Sequence, residues 1–426
     1  QLLDGVVLTA VGLGLEGEAA TPAHYRTIIE RANAQGEAAD RLDLDAGLDV
    51  LTQADEGLAL HAAAPAGHRL FRIDGWAQHN LGLTAAQELG YVLAGVAELF
   101  RAAESAGIAP ADIAGRVSVR LALPADMFAG IAACRAMRRL WDGILLACGI
   151  DPVPVRIEGF ASLRMMSVLD HEVNMLRTTT ALLGGAIGGA DAMAGFGHDL
   201  LTGETPGARR TARLAQVLMM AESEIARSLD PAAGAPFIES RTDDLADAGW
   251  SAFQEIECAG GLTAAIKAGM IQAQAAAAAT AREARMRAGE ELLGVTLQPT
   301  GGMPPEILAA FSAVRRPAAC VEALRRRTAE FSPRILILRG ATDNAVAEER
   351  GIRRWLGMAG LQAVTLDAGS GSAVSDARPD IVIGCGLAAL PEGVEAGNFR
   401  SAAAILDAGD RIAALEDLLV QKGDAR

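Results

Sequence analysis

Aromatic residues supply only 4% of the 426 positions, although hydrophobic residues supply 51%. A core with so few rings is built from Ala, Leu, Val, Ile and Met, which suits helices packed closely on a parallel sheet. Cysteine is sparse too. The five thiols (Cys134, Cys148, Cys258, Cys320, Cys385) stand far apart and form no C-x-x-C pair. That argues against a disulfide framework and for free buried thiols in a reducing cytoplasm. Positive charge is in deficit: 38 Lys and Arg face 53 Asp and Glu, a net charge of −15. Nucleic acid and anionic membrane surfaces need the opposite sign, so neither is an expected partner. No uninterrupted apolar run reaches the ~20 residues of a spanning helix, and no signal peptide is visible. All six histidines (His24, His61, His68, His79, His171, His198) precede residue 200, with no pair at i,i+3 or i,i+4. A metal site is not expected.

What is present alternates. Strands are expected at 4–11, 68–74, 115–123, 153–158, 190–194 and 292–297. Helices are expected at 22–35, 41–53, 83–107, 124–149 and 170–183, and then through most of 208–290. Such alternation is α/β. A closed (β/α)8 TIM-type barrel needs eight strands and ~250 residues or more. Five or six strands therefore mean either an open sheet or a barrel whose front strands are missing from this chain. The chain opens on Gln1 and enters LLDGVVLTAV at once, as if inside a domain. Residues 1–298 form the expected barrel domain and 299–332 a turn-rich, basic linker. In 333–426, PRILIL, QAVTLD, DIVIGC and AAAILD read as four strands of a small flavodoxin-like, doubly wound domain. Gly12, Gly14 and Gly17 satisfy G-x-G-x-x-G, but no helix opens within them, so a glycine-rich barrel loop is expected rather than a dinucleotide site.

The most informative stretch is Val153 to Asp199. An apolar run delivers Arg156 and Glu158 at its expected C-terminal end, a helix passes through Arg177, and Gly184, Gly185, Gly188 and Gly189 follow. RTTTALLGGAIGGADAM (Arg177 to Met193) resembles the coenzyme-B12-dependent methylmalonyl-CoA mutases. So do IDGWAQHNLGLTAAQELGYVLAGV (Ile73 to Val96), ARRTARLAQ (Ala208 to Gln216), SLDPAAGAPFIES (Ser228 to Ser240) and WSAFQEIECAGGLTAAIKAG (Trp250 to Gly269). The resemblance spans the first two thirds of the chain closely and the end more loosely. It implies a barrel with further strands before LLDGV, and a final domain similar to the cobalamin-binding one.

The departures matter as much. Active members carry an arginine followed two residues later by histidine, then Q-T-S-G, and further on Q-S-L-H. Here Arg156 is kept, Glu158 replaces the first histidine, Phe160 to Leu163 replaces Q-T-S-G, and Ala194 stands where the catalytic histidine belongs. Proton transfer needs a titratable side chain, and alanine has none. The family's D-x-H-x-x-G cobalt-ligating loop reads RGATDNAVAEERG (Arg339 to Gly351), and its S-x-L reads Cys385-Gly386-Leu387.

The resemblance thus implies the non-catalytic small subunit of a heterodimeric mutase. A large catalytic subunit would hold adenosylcobalamin and the CoA thioester, interconverting methylmalonyl-CoA and succinyl-CoA. This chain would bind no cofactor of its own. Arg156, Arg210 and Arg213 align with arginines near substrate or cofactor phosphates and are expected either as a vestigial substrate site or as salt bridges to Glu158, Asp170 or Asp191. His171 and His198 are expected as hydrogen-bonded structural side chains. Two other readings stay open: a catalytically active acyl-CoA mutase, and a stand-alone CoA-binding adaptor.

Overall fold

The computed structural model describes residues 3–299, 302–329, 333–368, 377–387, 394 and 398–423. It divides into two compact units. One comprises 1–162, 177–196 and 211–278, the other 163–176, 197–210 and 279–426.

The first unit holds six strands: β1 (Gly12–Gly14), β2 (Asp43–Asp49), β3 (Arg69–Asp74), β4 (Val117–Leu123), β5 (Arg156–Ala161) and β6 (Ala192–Ala194). They lie side by side in chain order, every neighbouring pair parallel. The connections carry α1 (Pro22–Ala34), α2 (Ala54–His61), α3 (Gly75–Leu81), α4 (Ala85–Ser105), α5 (Pro110–Ala114), α6 (Met127–Ala147) and α7 (Val173–Ile187). After β6 come α8 (Pro206–Ala221), α9 (Pro236–Cys258), α10 (Leu262–Lys267) and α11 (Met270–Arg287). Sequential βα units with parallel pairing are barrel architecture, and six strands fit a partial (β/α)8 barrel.

The shortage of aromatics shows in how closely helices approach. A Cβ added to Gly90 on α4 would lie 2.7 Å from the Cβ of Ala252 on α9. Helices that near can pack only through small side chains.

Three expectations shift. The first strand is not 4–11 but Gly12–Gly14, preceded by a 3-10 turn at Leu8–Ala10. The helix expected at 41–53 is β2. Leu44, Ala46 and Leu48 are each fully buried, a spacing of two that puts them on one face of a strand. The 292–297 strand is a turn, with Val295 N–H donating to Leu292 C=O and a single bridge between Leu293 and Leu297.

The second unit has a parallel four-stranded sheet ordered β10-β9-β7-β8. Its strands are β7 (Ile335–Arg339), β8 (Ala363–Asp367), β9 (Ile381–Cys385) and β10 (Phe399–Ser401). The fourth strand thus precedes AAAILD, which forms α14 (Ala402–Leu406). Alanine favours helix. α12 (Ala319–Ala329), α13 (Ala345–Met358) and α15 (Arg411–Gly423) complete the described helices. Val321, Leu324, Ile337, Trp355, Ile383 and Ile412 share one core. Beside it Arg316 forks onto Glu322 at 2.7 and 2.8 Å, and Glu322 also accepts from Ser167 Oγ and Val168 N–H. A buried ion pair satisfied this fully anchors the loop after β5 to α12.

Candidate functional site

Parallel α/β sheets place ligands at the C-terminal ends of their strands. In the first unit charge gathers instead around the middle of the strands, with only Asp74 at a strand's end. Asp45 on β2, Arg72 and Asp74 on β3, Arg120 on β4 and Glu158 on β5 meet on one side of the sheet. Arg72 lies 3.1 Å from Asp45 Oδ2 and 3.1 Å from Glu158 Oε2. Its Nη1 also donates to Leu15 C=O at 2.7 Å. Arg120 meets Glu158 at 3.1 Å, Glu16 at 2.6 Å and Asp74 at 3.5 Å.

Asp45, Arg72, Arg120 and Glu158 are all buried. Burial pushes the carboxyl groups of Asp45 and Asp74 above the usual carboxylate range; Arg72 and Arg120 respectively pull them back in part. Of the glycines expected as a loop, Gly12 and Gly14 bound strand β1, and an added Cβ on Gly14 would stand 3.3 Å from Arg72 Nη2. At Gly47 (φ +64), an added Cβ would stand 2.4 Å from Leu15 O and 2.6 Å from Arg72 Nη1.

Above the charges sits an aromatic group. Trp76 is 5.8 Å from Phe160 and 5.9 Å from Phe196, ring centre to ring centre, and the Arg120 guanidinium lies 3.9 Å over Phe160. Ala194, half-buried on β6, pairs in register with Phe160. At Phe160 and Ala194 the structure therefore sets a ring beside a methyl group. Neither can transfer a proton.

None of the three arginines expected as a vestigial substrate site is paired with Glu158, Asp170 or Asp191 among the described residues. Arg156 opens β5 rather than ending it, and pairs with Asp43 at 3.3 Å instead of Glu158. Asp191 pairs with Arg138 at 3.1 Å and accepts the Ile157 N–H. Arg210 and Arg213 lie exposed on α8. In the second unit, His171 and His198, expected as hydrogen-bonded side chains, instead stack on each other at 5.2 Å; His171 Nδ1 lies 3.5 Å from Glu172, and His198 Nδ1 has no hydrogen-bond partner among the described residues.

One constellation escaped the sequence. His79 Nε2 lies 2.9 Å from Ser162 Oγ, and its Nδ1 lies 2.9 Å from Glu88, whose other oxygen accepts the Ala122 N–H. The order serine, histidine, acid is that of a hydrolase relay. Ser162 is only 1% exposed, however, so no substrate reaches its hydroxyl. The relay ties α3 and α4 to the end of β5. No spacing in the chain announces it.

In the second unit the C-terminal ends of β7 and β9 close on each other. Gly340 N–H donates to Cys385 C=O at 2.8 Å, and Gly386 N–H donates to Glu348 at 2.7 Å. A Cβ on Gly386 (φ +66) would fall 2.1 Å from Thr342 Oγ1. Burial pushes the Cys385 thiol up to about 12, which keeps it a neutral, small apolar group. Among the described residues no group of three or more His, Cys, Asp or Glu could hold a metal ion, and no helix is long and apolar enough to cross a membrane. A cleft of about 570 Å3 opens beside β6, between Arg138, Asp191, Met219 and Leu229.

Comparison with known proteins agrees with the motifs. The family model for methylmalonyl-CoA mutase matches residues 61–304. A probable methylmalonyl-CoA mutase small subunit of Mycobacterium bovis is 36% identical over 387 residues, covering 82% of this chain and 61% of that protein. The methylmalonyl-CoA mutase small subunit of Streptomyces virginiae is 36% identical over 315 residues, 70% of this chain and 51% of its own length. Methylmalonyl-CoA mutase of Escherichia coli is 32% identical over 202 residues, 46% and 28% respectively. The chain thus spans about 61% of the Mycobacterium relative it matches. Since the family model takes in more than half of the 426 residues, the chain belongs to the methylmalonyl-CoA mutase family.

Proposed function

We propose that this chain is the non-catalytic small subunit of a heterodimeric adenosylcobalamin-dependent methylmalonyl-CoA mutase. Its role is to stabilise a larger subunit that isomerises methylmalonyl-CoA to succinyl-CoA. The observation that carries this reading is the interior of the first unit. Arg72 and Arg120 are committed to Asp45 and Glu158, and Phe160 and Ala194 stand at the positions of the family's polar groups. Guanidinium groups already held by buried carboxylates are not available to a thioester oxygen or a phosphate.

The second unit is read as a degenerate counterpart of the flavodoxin-like cobalamin-binding domain. Its residues do not fit cobalamin. No histidine occurs after His198, and the crevice between β7 and β9 is taken up by Gly340, Thr342, Gly386 and Glu348. No catalytic step on this chain is therefore routed through the cofactor. The small-subunit names of the Mycobacterium and Streptomyces relatives point the same way.

The test is reconstitution. The purified chain is mixed with the larger mutase subunit from the same genome, and turnover is measured for each protein alone and together. Stable equimolar assembly, with activity only when the larger subunit is present, is the expected result. Turnover by this chain alone, or a shift in the adenosylcobalamin spectrum on adding it, defeats the reading. Calorimetry with free CoA tests the adaptor alternative, in which the exposed Arg210 and Arg213 would hold phosphate.

A further inference from the structure

Three strands of the first unit open on a charged residue: Asp43 on β2, Arg69 on β3 and Arg156 on β5. Their side chains meet. Asp43 Oδ1 accepts from Arg69 Nη2, and Oδ2 accepts from Arg156 Nη1 at 3.3 Å. Among the described residues those are the only hydrogen bonds of either guanidinium, although each carries five N–H donors. The Nε of each is enclosed and has no acceptor.

One carboxylate between two guanidinium groups leaves a positive charge over. Glu158 and Asp191 also attract Arg69, but Glu158 is paired with Arg72 and Arg120, and Asp191 with Arg138. Burial, and after it the like charge of Arg156, push the Arg69 pKa down to about 10, so it remains a cation at neutral pH. The surplus can be reached from solvent. The side chains of Asp43 and Arg156 are 45% and 24% exposed. Gly12, at the start of β1, leaves the approach without side-chain bulk. A Cβ there would stand 2.9 Å from Asp43 Oδ2 and 3.7 Å from Arg156 Nη2.

We infer that Arg69 and Arg156 form a binding site for a small oxyanion of the phosphate class, at the N-terminal ends of the strands. Two guanidinium forks match the several oxygens of such an ion. Asp43 holds the pair together against its own repulsion and competes with the anion for the same N–H groups. The site does not depend on the small-subunit reading. It also lies at the strand ends opposite those where parallel sheets place their ligands.

Inorganic phosphate is titrated into the full chain by calorimetry, with chloride holding the ionic strength constant. The expected result is one phosphate per chain. Arg156→Gln weakens it at least about tenfold, the loss of one charge-assisted hydrogen bond. Asp43→Asn keeps the size of the side chain, removes the competitor and binds phosphate more tightly than the wild type does. Arg350→Gln, on an exposed position of α13, binds as the wild type does. Phenyl phosphate is the second arm. Equal affinity for it means that the site takes the phosphoryl end of a larger molecule, and its rejection means that the site takes the free ion. The inference fails if neither the wild type nor Asp43→Asn binds phosphate. It fails too if Arg156→Gln binds undiminished, which leaves an adventitious ion only. An Asp43→Asn chain that melts lower and is not restored by phosphate would make the trio a structural ion bridge and nothing more.

Discussion

Arg72 answers two carboxylates at once. With Asp45 at 3.1 Å on one side and Glu158 at 3.1 Å on the other, its removal leaves both buried without that partner. Arg72→Met keeps the volume and loses the charge, so the expected cost is about 3–5 kcal/mol, read as a lower melting midpoint. A variant as stable as the wild type would mean that the cluster is wetter than its burial states. His68 supplies a pH dependence. Tyr25 O–H lies 2.7 Å from its Nδ1, and its Nε2 lies 2.8 Å from Ala39 C=O. Burial holds its pKa below the ordinary 6.5. The unfolded chain therefore takes up a proton first as pH falls, and stability drops as pH descends through 6.5 toward the folded value. Thermal midpoints from about pH 7.5 to 5.5 should fall less steeply in His68→Gln, which retains a donor and an acceptor and does not titrate; equal slopes would remove His68 as the cause. None of these partnerships was legible in the sequence. Arg72 and Glu158 stand 86 residues apart, and only the sheet register unites them.

Elements were more legible where a local rule spoke alone. α4 is expected at 83–107 and observed at Ala85–Ser105, because Thr84 and Gln87 form a complete capping box. Thr84→Ala removes that cap and should cost ~1 kcal/mol, measurable as a shift in the urea midpoint at unchanged slope. No shift would show that packing against α9 alone fixes the helix start. Where two rules competed, the sequence misled. Leu44 and Leu48 satisfy i,i+4 as well as i,i+2, and burial of Ala46 between them decides for a strand. AAAILD has the composition of a buried strand and the propensity of a helix, and helix prevails. β5 was placed correctly but three residues early at each end, which reversed the position of Arg156 from the end of the strand to its beginning.

At the scale of the molecule, the sequence carried the family through many short motifs in order, and the α/β class through alternation. The interior of the first unit was beyond it. Glu158 could be singled out in advance, but not the arginines that it engages. That cluster has a consequence for assembly. Glu16, Asp45, Arg72, Arg120 and Glu158 come from five separate segments of the first unit, with up to 104 residues between contacting partners. Until β2, β3, β4 and β5 are all in register, each ion is better hydrated than enclosed. Contacts this distant in sequence form slowly. The interior therefore dries late and all together, so the charges act as a proofreading step that rejects any sheet missing a strand.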